Sequence, residues 1–203
     1  MKLALLSDLH ANHHALQACV AHARKAGADQ FAVLGDIVGY GAHPAEVVQA
    51  VMDLAEQGAW VLRGNHDAVA VQPPAVVRHA GERSAPWTHA QLSPAQRSFL
   101  ADLPLILATE GLLLVHATAD APERWRYADN PQVAAQSLDA AAQIDSRIRH
   151  VFGGHVHEQT LYFRSPVGKL MPFSPTAGVP VPLLPHRHWL ATVGSVGQPR
   201  DGD

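Results

Sequence analysis

Seven side chains with metal-binding chemistry fall in five short clusters along this chain of 203 residues: Asp8-Leu9-His10, Gly35-Asp36, Gly64-Asn65-His66-Asp67, His116, and Gly153-Gly154-His155-Val156-His157. The donors are carboxylate, imidazole and one amide, with no thiolate. That mixture suits hard or borderline divalent cations that activate water. Asp8 and His10 are separated by one residue, and alternate side chains of an extended segment share a side, so one cation can take both. Asp36 has two carboxylate oxygens and can bridge two cations, which two-metal sites hold about 3.5–4 Å apart. Asn65 offers a neutral amide oxygen to a second cation. His155 and His157 repeat the alternating pair, and His116 arrives from another segment. His66 stands beside these ligands and can donate a proton to a leaving oxygen. Asp67 is the adjacent carboxylate that would orient the His66 ring and keep it cationic. A lone Asp-x-His or His-x-His is a weak signal. Five such clusters in this order, each after an apolar run, are a specific one.

The elements that must position these residues are legible in outline. Residues 2–7 read as a buried strand ending in Ser7-Asp8. Asn12 is placed to cap a helix running to Lys25, with Leu16, Cys19, Val20 and Ala23 on one face and Gly27 as its stop. Asp29–Leu34 and Ala59–Leu62 read as strands delivering Gly35-Asp36 and Gly64-Asn65-His66-Asp67. Between them Pro44 opens a helix whose inner face is Val47, Val48, Val51 and Leu54. This β-α-β-α-β rhythm predicts a parallel sheet. Ser93-Pro94-Ala95-Gln96 is a capping box for a helix to Asp102. Leu105–Thr109 and Leu112–Val115 flank Glu110-Gly111 as a hairpin whose second arm delivers His116. A helix follows Asn130-Pro131 to Gln143, and strands are expected at Ile148–Phe152, Thr160–Phe163 and Trp189–Val193. Residues 172–185 carry five prolines and read as an extended surface loop. Strand ends of an α/β protein converge on one crevice, which is where scattered ligands can meet.

Composition narrows the classes. The net charge of −3 and the lack of a long basic run give no footprint for stable nucleic-acid binding. The single Cys19 excludes a disulfide framework and a cysteine-built zinc site, and its helical spacing places it in the core. The first apolar run is too short for a secretion signal, and no stretch is long enough to span a bilayer, so the expected location is the cytoplasm. Of the 14 histidines, those outside the clusters read as surface or cap residues, with His43 and His89 singled out for the loops they follow.

The clusters resemble those of the calcineurin-like metallophosphoesterases, in particular the small bacterial and archaeal single-domain branch that includes phosphodiesterases, over nearly the whole chain from Asp8 to Arg200. The resemblance implies a four-layer α/β/β/α sandwich with two mixed sheets, formed by residues 1–203 as one domain. It implies a binuclear centre with one metal held by Asp8, His10 and His157, a second by Asn65, His116 and His155, and Asp36 between them. His66 is then the catalytic acid, Asp67 its partner, and a metal-bridging hydroxide the nucleophile. The metals would be manganese first, with iron, zinc or nickel as alternatives. Two departures stand out. Members of this branch usually continue after Gly194-Ser195-Val196-Gly197-Gln198-Pro199-Arg200 with strands that complete the second sheet, so the chain is naturally short, truncated or completed by another chain, and an unpaired edge there would be a site for dimerisation or aggregation. Ala117-Thr118 replaces the Gly-Ser that often follows the motif histidine.

The expected activity is hydrolysis of a phosphomonoester or phosphodiester, with a small phosphate ester, a nucleotide or a phosphoprotein as substrate. Trp87, Arg124, Arg126 and Tyr127 are candidates to stack on a base or pair with phosphate, against a reading as surface packing. Gln198 and Arg200 are further candidates at the rim. The alternative is a non-catalytic metal-binding scaffold or interaction subunit of the same fold. Retention of His66 and every ligand speaks against it. A binuclear hydrolase of carbon–nitrogen bonds would be expected to open with His-x-His where this chain has Asp8-Leu9-His10.

Overall fold

The computed structural model describes residues 1–77, 79–109, 111–165, 168–184 and 187–200. The first half alternates β1 (Leu3–Leu6), α1 (His13–Lys25), β2 (Gln30–Val33), α2 (Pro44–Glu56) and β3 (Trp60–Val61). Both helices have the expected starts. The Asn12 side chain accepts a hydrogen bond from the Ala15 N–H at 3.1 Å, and Pro44 sits in the first turn of α2. The strands pair in the order β1-β2-β3, parallel in both pairings, because each connection is a helical crossover. Of the two sheets expected to be mixed, this one is therefore parallel throughout its described pairs.

Three short helices follow: α3 (Asn65–Val71), α4 (Ala85–Gln91) and α5 (Pro94–Asp102). The capping box of α5 is formed, with Ser93 Oγ accepting from the Gln96 N–H and Gln96 Oε1 from the Ser93 N–H. The hairpin β4 (Ile106–Thr109) and β5 (Leu112–Val115) then starts a second sheet, although Glu110 of its turn lies outside the described residues. α6 (Pro131–Ile144) leads to β6 (His150–Gly153), β7 (Gln159–Arg164), β8 (Leu170–Phe173) and β9 (Trp189–Val193). The order is β4-β5-β6-β9-β7-β8, parallel at β5–β6 and β6–β9 and antiparallel elsewhere.

The segment read as a proline-rich surface loop begins inside a strand: Pro172 lies in β8 opposite Tyr162. β8 is the last strand of the sheet, and an edge strand tolerates a residue with no N–H to give. Pro185, at the far end of that segment, lies outside the described residues.

Side-chain alternation sorts the apolar residues into three layers of contact. Leu6 and Val33 face the helices with Val47, Val48 and Val51, whereas Ala32 and Leu34 face the other way. In β5, Leu114 meets Ala32, Leu34 and Leu62 between the sheets, while Leu113 and Val115 pack on Ala134, Leu138 and Ala141 of α6. Each fully buried Leu or Val contributes about 1.5–3 kcal/mol, so the sheet-to-sheet contact is a true core. Helices, parallel sheet, mixed sheet and α6 thus form the four layers that the sequence resemblance implied.

Candidate metal centre

Six of the seven predicted ligands lie just past the carboxyl ends of strands. Asp8 follows β1, Asp36 follows β2, His116 follows β5, and His155 and His157 follow β6. Asn65, His66 and Asp67 were expected at the end of a strand. They instead form the first turn of α3, which begins four residues beyond the end of β3. Hydrogen bonds between loops lock the two sheets' ends together. Asp8 N–H donates to the Gly35 carbonyl and His10 N–H to that of Asp36, while Val196 N–H donates to Ser7 and Gly197 N–H to Asp8.

Two nests of donor atoms result. In the first, His157 Nε2 lies 3.1 Å from Asp8 Oδ1 and 3.0 Å from His10 Nε2. In the second, His116 Nε2 lies 3.2 Å from Asn65 Oδ1 and 3.2 Å from His155 Nδ1. Asp36 Oδ2 stands between them, 3.9 Å from His10 Nε2 and 3.4 Å from His116 Nε2. Ligands bonded at about 2.1 Å around one cation sit roughly 3.0–3.4 Å from each other, so both nests have the spacing of a coordination shell. All of these groups except Asn65 are buried.

The donor atoms are also left free in the way a cation requires. Asp8 Oδ2 accepts from Ser7 Oγ and from the His155 N–H, while Asp8 Oδ1 is buried, with no hydrogen-bond donor among the described residues and only the inward-turned His157 Nε2 beside it. Such an orphaned carboxylate oxygen is costly unless a cation takes it. Asp36 Oδ1 accepts from the His66 N–H at 2.8 Å, so only its Oδ2 faces both nests. The four histidines each engage their remote ring nitrogen with a backbone carbonyl: His10 with Val38, His116 with Leu34, His155 with Trp125 and His157 with Gln198. That contact fixes the tautomer and turns the other nitrogen's lone pair inward, the usual support of a metal-ligating histidine.

Charge and strain mark the same residues. Burial opposes ionisation of Asp36, yet His116, His66 and His10 hold its carboxyl well below the usual carboxylate range. Burial likewise opposes charge on His116, but Asp36 and Asp8 beside it raise it to about 9. Burial pushes His10 and His155 down to about 4 and lowers His66. A cation settling against His116 would displace the proton it carries. Asp8, His10, Asp36, His155 and His157 all have φ between 46° and 68°. Non-glycine residues rarely hold the left-handed conformation, and its cost of about 1–3 kcal/mol each persists where function demands it. Gly64 and Gly154 give the backbone room to crowd the ligands: a Cβ on Gly154 would overlap Ser7 Oγ and Asp8 Oδ2, and one on Gly64 would overlap Asp36.

Asp67 has a different place from the expected one. Its Oδ1 accepts from the N–H groups of Ile37 and Val38, and its Oδ2 from that of Gly64. It braces the loop after β2 against the start of α3 and makes no hydrogen bond to the His66 ring. Burial and the neighbouring Asp36 push its carboxyl up to about 7.

A cleft of about 590 Å³ opens over the second nest, lined by Asn65, His66 and His155 together with Tyr40, Arg124, Trp125 and Tyr127. Tyr127 stacks on the His155 ring at 4.1 Å. Arg124 and Tyr127 were singled out in the sequence, whereas Tyr40 and Trp125 were not. The signals for them were Tyr40 between two glycines and Trp125 between two arginines. Arg126 is turned to Asp120 and Gln136, and Trp87 lies exposed on α4 outside the cleft lining. Gln198 lines a smaller groove of about 300 Å³ with His10, Tyr40 and His43. His89 ties α4 to the Ala70 carbonyl of α3.

Comparison with known proteins gives the family and the fold. Residues 1–203 match the Calcineurin-like phosphoesterase superfamily domain. The chain is 30% identical over 206 residues to "Uncharacterized protein MJ0912" of Methanocaldococcus jannaschii, covering 98% of this chain and 78% of that one. Among solved structures it resembles a metallophosphoesterase from Sphaerobacter thermophilus, with a TM-score of 0.82, 31% identity, and coverage of 100% and 80% of the two chains. It shares its fold with the hypothetical protein PH1004 of Pyrococcus horikoshii, at a TM-score of 0.69, 18% identity, and coverage of 96% and 77%. The chain thus belongs to the calcineurin-like phosphoesterase superfamily.

Proposed function

We propose that this protein is a binuclear metal-dependent phosphoesterase that cleaves phosphomono- or phosphodiester bonds of a small substrate, a nucleotide being favoured by the aromatic cleft. The observation that carries the reading is the pair of donor nests sharing Asp36 Oδ2 beneath an open cleft. Asp8, His10 and His157 would hold one cation, Asn65, His116 and His155 the other, with Asp36 between them. Two such cations, manganese first among the candidates, supply polarisation of the phosphoryl oxygens and an activated water. The protein's own groups do the rest. The backbone carbonyls behind the four histidines keep the nests in shape as charge changes. Trp125 and Tyr127 present flat faces on which a base can stack, and Arg124 lies in the same wall to pair with phosphate. His66 lines the cleft and donates a proton to the leaving oxygen. Burial lowers its proton affinity in the free protein, and an arriving phosphate anion would restore it. Asp67 acts at one remove, by fixing the turn that carries Asn65 and His66.

The test is turnover of p-nitrophenyl phosphate and of its diester by the purified chain loaded with manganese. Turnover is expected, with a fall of about three orders of magnitude in Asp36→Ala. Full activity in that variant, or two bound metals with no turnover across a panel of nucleotide esters and phosphopeptides, would overturn the assignment.

A further inference from the structure

We propose that Tyr40 is the positioning residue for His66, setting the imidazole edge toward the leaving-group side of the cleft; this rests on the phosphoesterase reading above. The question it answers is what orients that ring. The His66 backbone is fixed by its N–H bond to Asp36 Oδ1, but a backbone bond leaves the ring free to turn about its last torsion. Asp67 is committed to three backbone N–H groups. Among the described residues, packing holds the ring instead. Its centroid is 4.6 Å from that of Tyr40 and 5.0 Å from that of His10. The Gly39 backbone presses on the Nδ1 side so closely that a Cβ there would overlap the ring. On the other side a Cβ at Gly81 would come 3.1 Å from His66 Cε1 and 3.3 Å from the Tyr40 hydroxyl oxygen. The imidazole therefore sits in a slot with Tyr40 as one wall, and its Cε1–Nε2 edge is turned to the cleft that Gly81 lines.

Tyr40 itself is held in a costly way. Its φ is 57°, next to Gly39 at 92°, and it remains 41% exposed at the border between the 590 Å³ cleft and the 300 Å³ groove. A strained, half-exposed aromatic residue gains nothing for the core and suits a role at the site. In the reaction a water oxygen bonds to phosphorus and releases one proton to solvent, the ester P–O bond breaks with its electron pair on the leaving oxygen, the His66 proton neutralises that oxygen, and His66 takes a proton back from solvent. A displacement of about 1 Å in a positioned group can cost a hundredfold. The cost is larger when the leaving oxygen is more basic.

The experiment compares phenyl phosphate, a poor leaving group, with p-nitrophenyl phosphate, a good one, on the manganese-loaded protein. Tyr40→Phe, Tyr40→Leu, Tyr40→Ala and His66→Gln are measured beside wild type, with bound metal counted by elemental analysis. Tyr40→Phe should stay within about threefold, because the ring and not the hydroxyl forms the wall. Tyr40→Leu and Tyr40→Ala should lose at least about tenfold more kcat on the phenyl ester than on the nitrophenyl ester. Their KM should change by less than about threefold and their metal content should match wild type. Combined with His66→Gln, Tyr40→Ala should add little, as expected for residues acting as a unit. Equal losses on both esters, loss of metal, or a Tyr40→Phe protein as impaired as Tyr40→Ala would overturn the role of Tyr40. A metal-loaded wild type that turns over neither these monoesters nor the p-nitrophenyl diester would bring down the phosphoesterase reading itself.

Discussion

At the scale of single residues, the centre is built by dividing the work of each polar group. Asp8 and Asp36 spend one oxygen on backbone or hydroxyl donors and keep the other for the nests. The histidines do the same with their two nitrogens. Asp67 is the exception, because all of its recorded bonds are to backbone N–H groups. Replacing it by Asn would turn an amide NH2 toward a donor, leaving a buried N–H without an acceptor. Asp67→Asn should lower unfolding stability in urea by about 1–3 kcal/mol. It should also weaken turnover, since the displaced Gly64 carries Asn65 and His66 with it. Unchanged stability would mean that the brace is not needed. Residue types and spacing made all seven residues of the two donor nests legible in the sequence. Which oxygen or nitrogen faces the cation was not legible, because it depends on hydrogen bonds between residues up to 147 positions apart.

At the scale of elements, the local signals that worked were those with a short-range mechanism. Asn12, Asn130 and Ser93 each accept from N–H groups two or three residues on, so their helices begin where the side chain says they must. Ser93 lies far along the chain from every ligand, and Ser93→Ala should cost about 1 kcal/mol in urea unfolding with kcat/KM within experimental scatter of wild type. The signals that failed needed tertiary information. Pro172 enters a strand because β8 has a neighbour on one side only. The start of α3 at Asn65 has one local support, the Gly64 N–H bond to Asp67 Oδ2, but it also depends on Asp36 accepting from the His66 N–H, a contact across 30 positions that no short window of sequence contains. Tyr40 and Trp125 were missed for the same reason, since their importance lies in the histidine rings they meet across the fold.

At the scale of the whole molecule, the two nests sit on the seam between the sheets. Asp8, His10, Asp36 and Asn65 come from the parallel sheet's side, and His116, His155 and His157 from the mixed sheet's side. Each nest takes ligands from both, so a bound cation ties the halves together. Without cations, two buried carboxylates face each other across histidines, and His116 holds a proton that balances part of their charge. Stripping metal with a chelator should therefore lower Tm, and manganese at a hundred times its Kd should restore about 2.7 kcal/mol per site. Amide exchange should slow on both sides of the seam, and protection confined to one sheet would contradict this cross-bracing. The left-handed backbone at Asp8, His10, Asp36, His155 and His157 has a last consequence, for anyone who tries to harden this protein against heat. Glycine would relax the backbone at each of those positions, yet each change would also empty a buried side-chain space and strand the N–H or carbonyl group that the lost side chain engages. Selection for endurance would therefore leave these five codons as they stand, and the strain stays with the working parts.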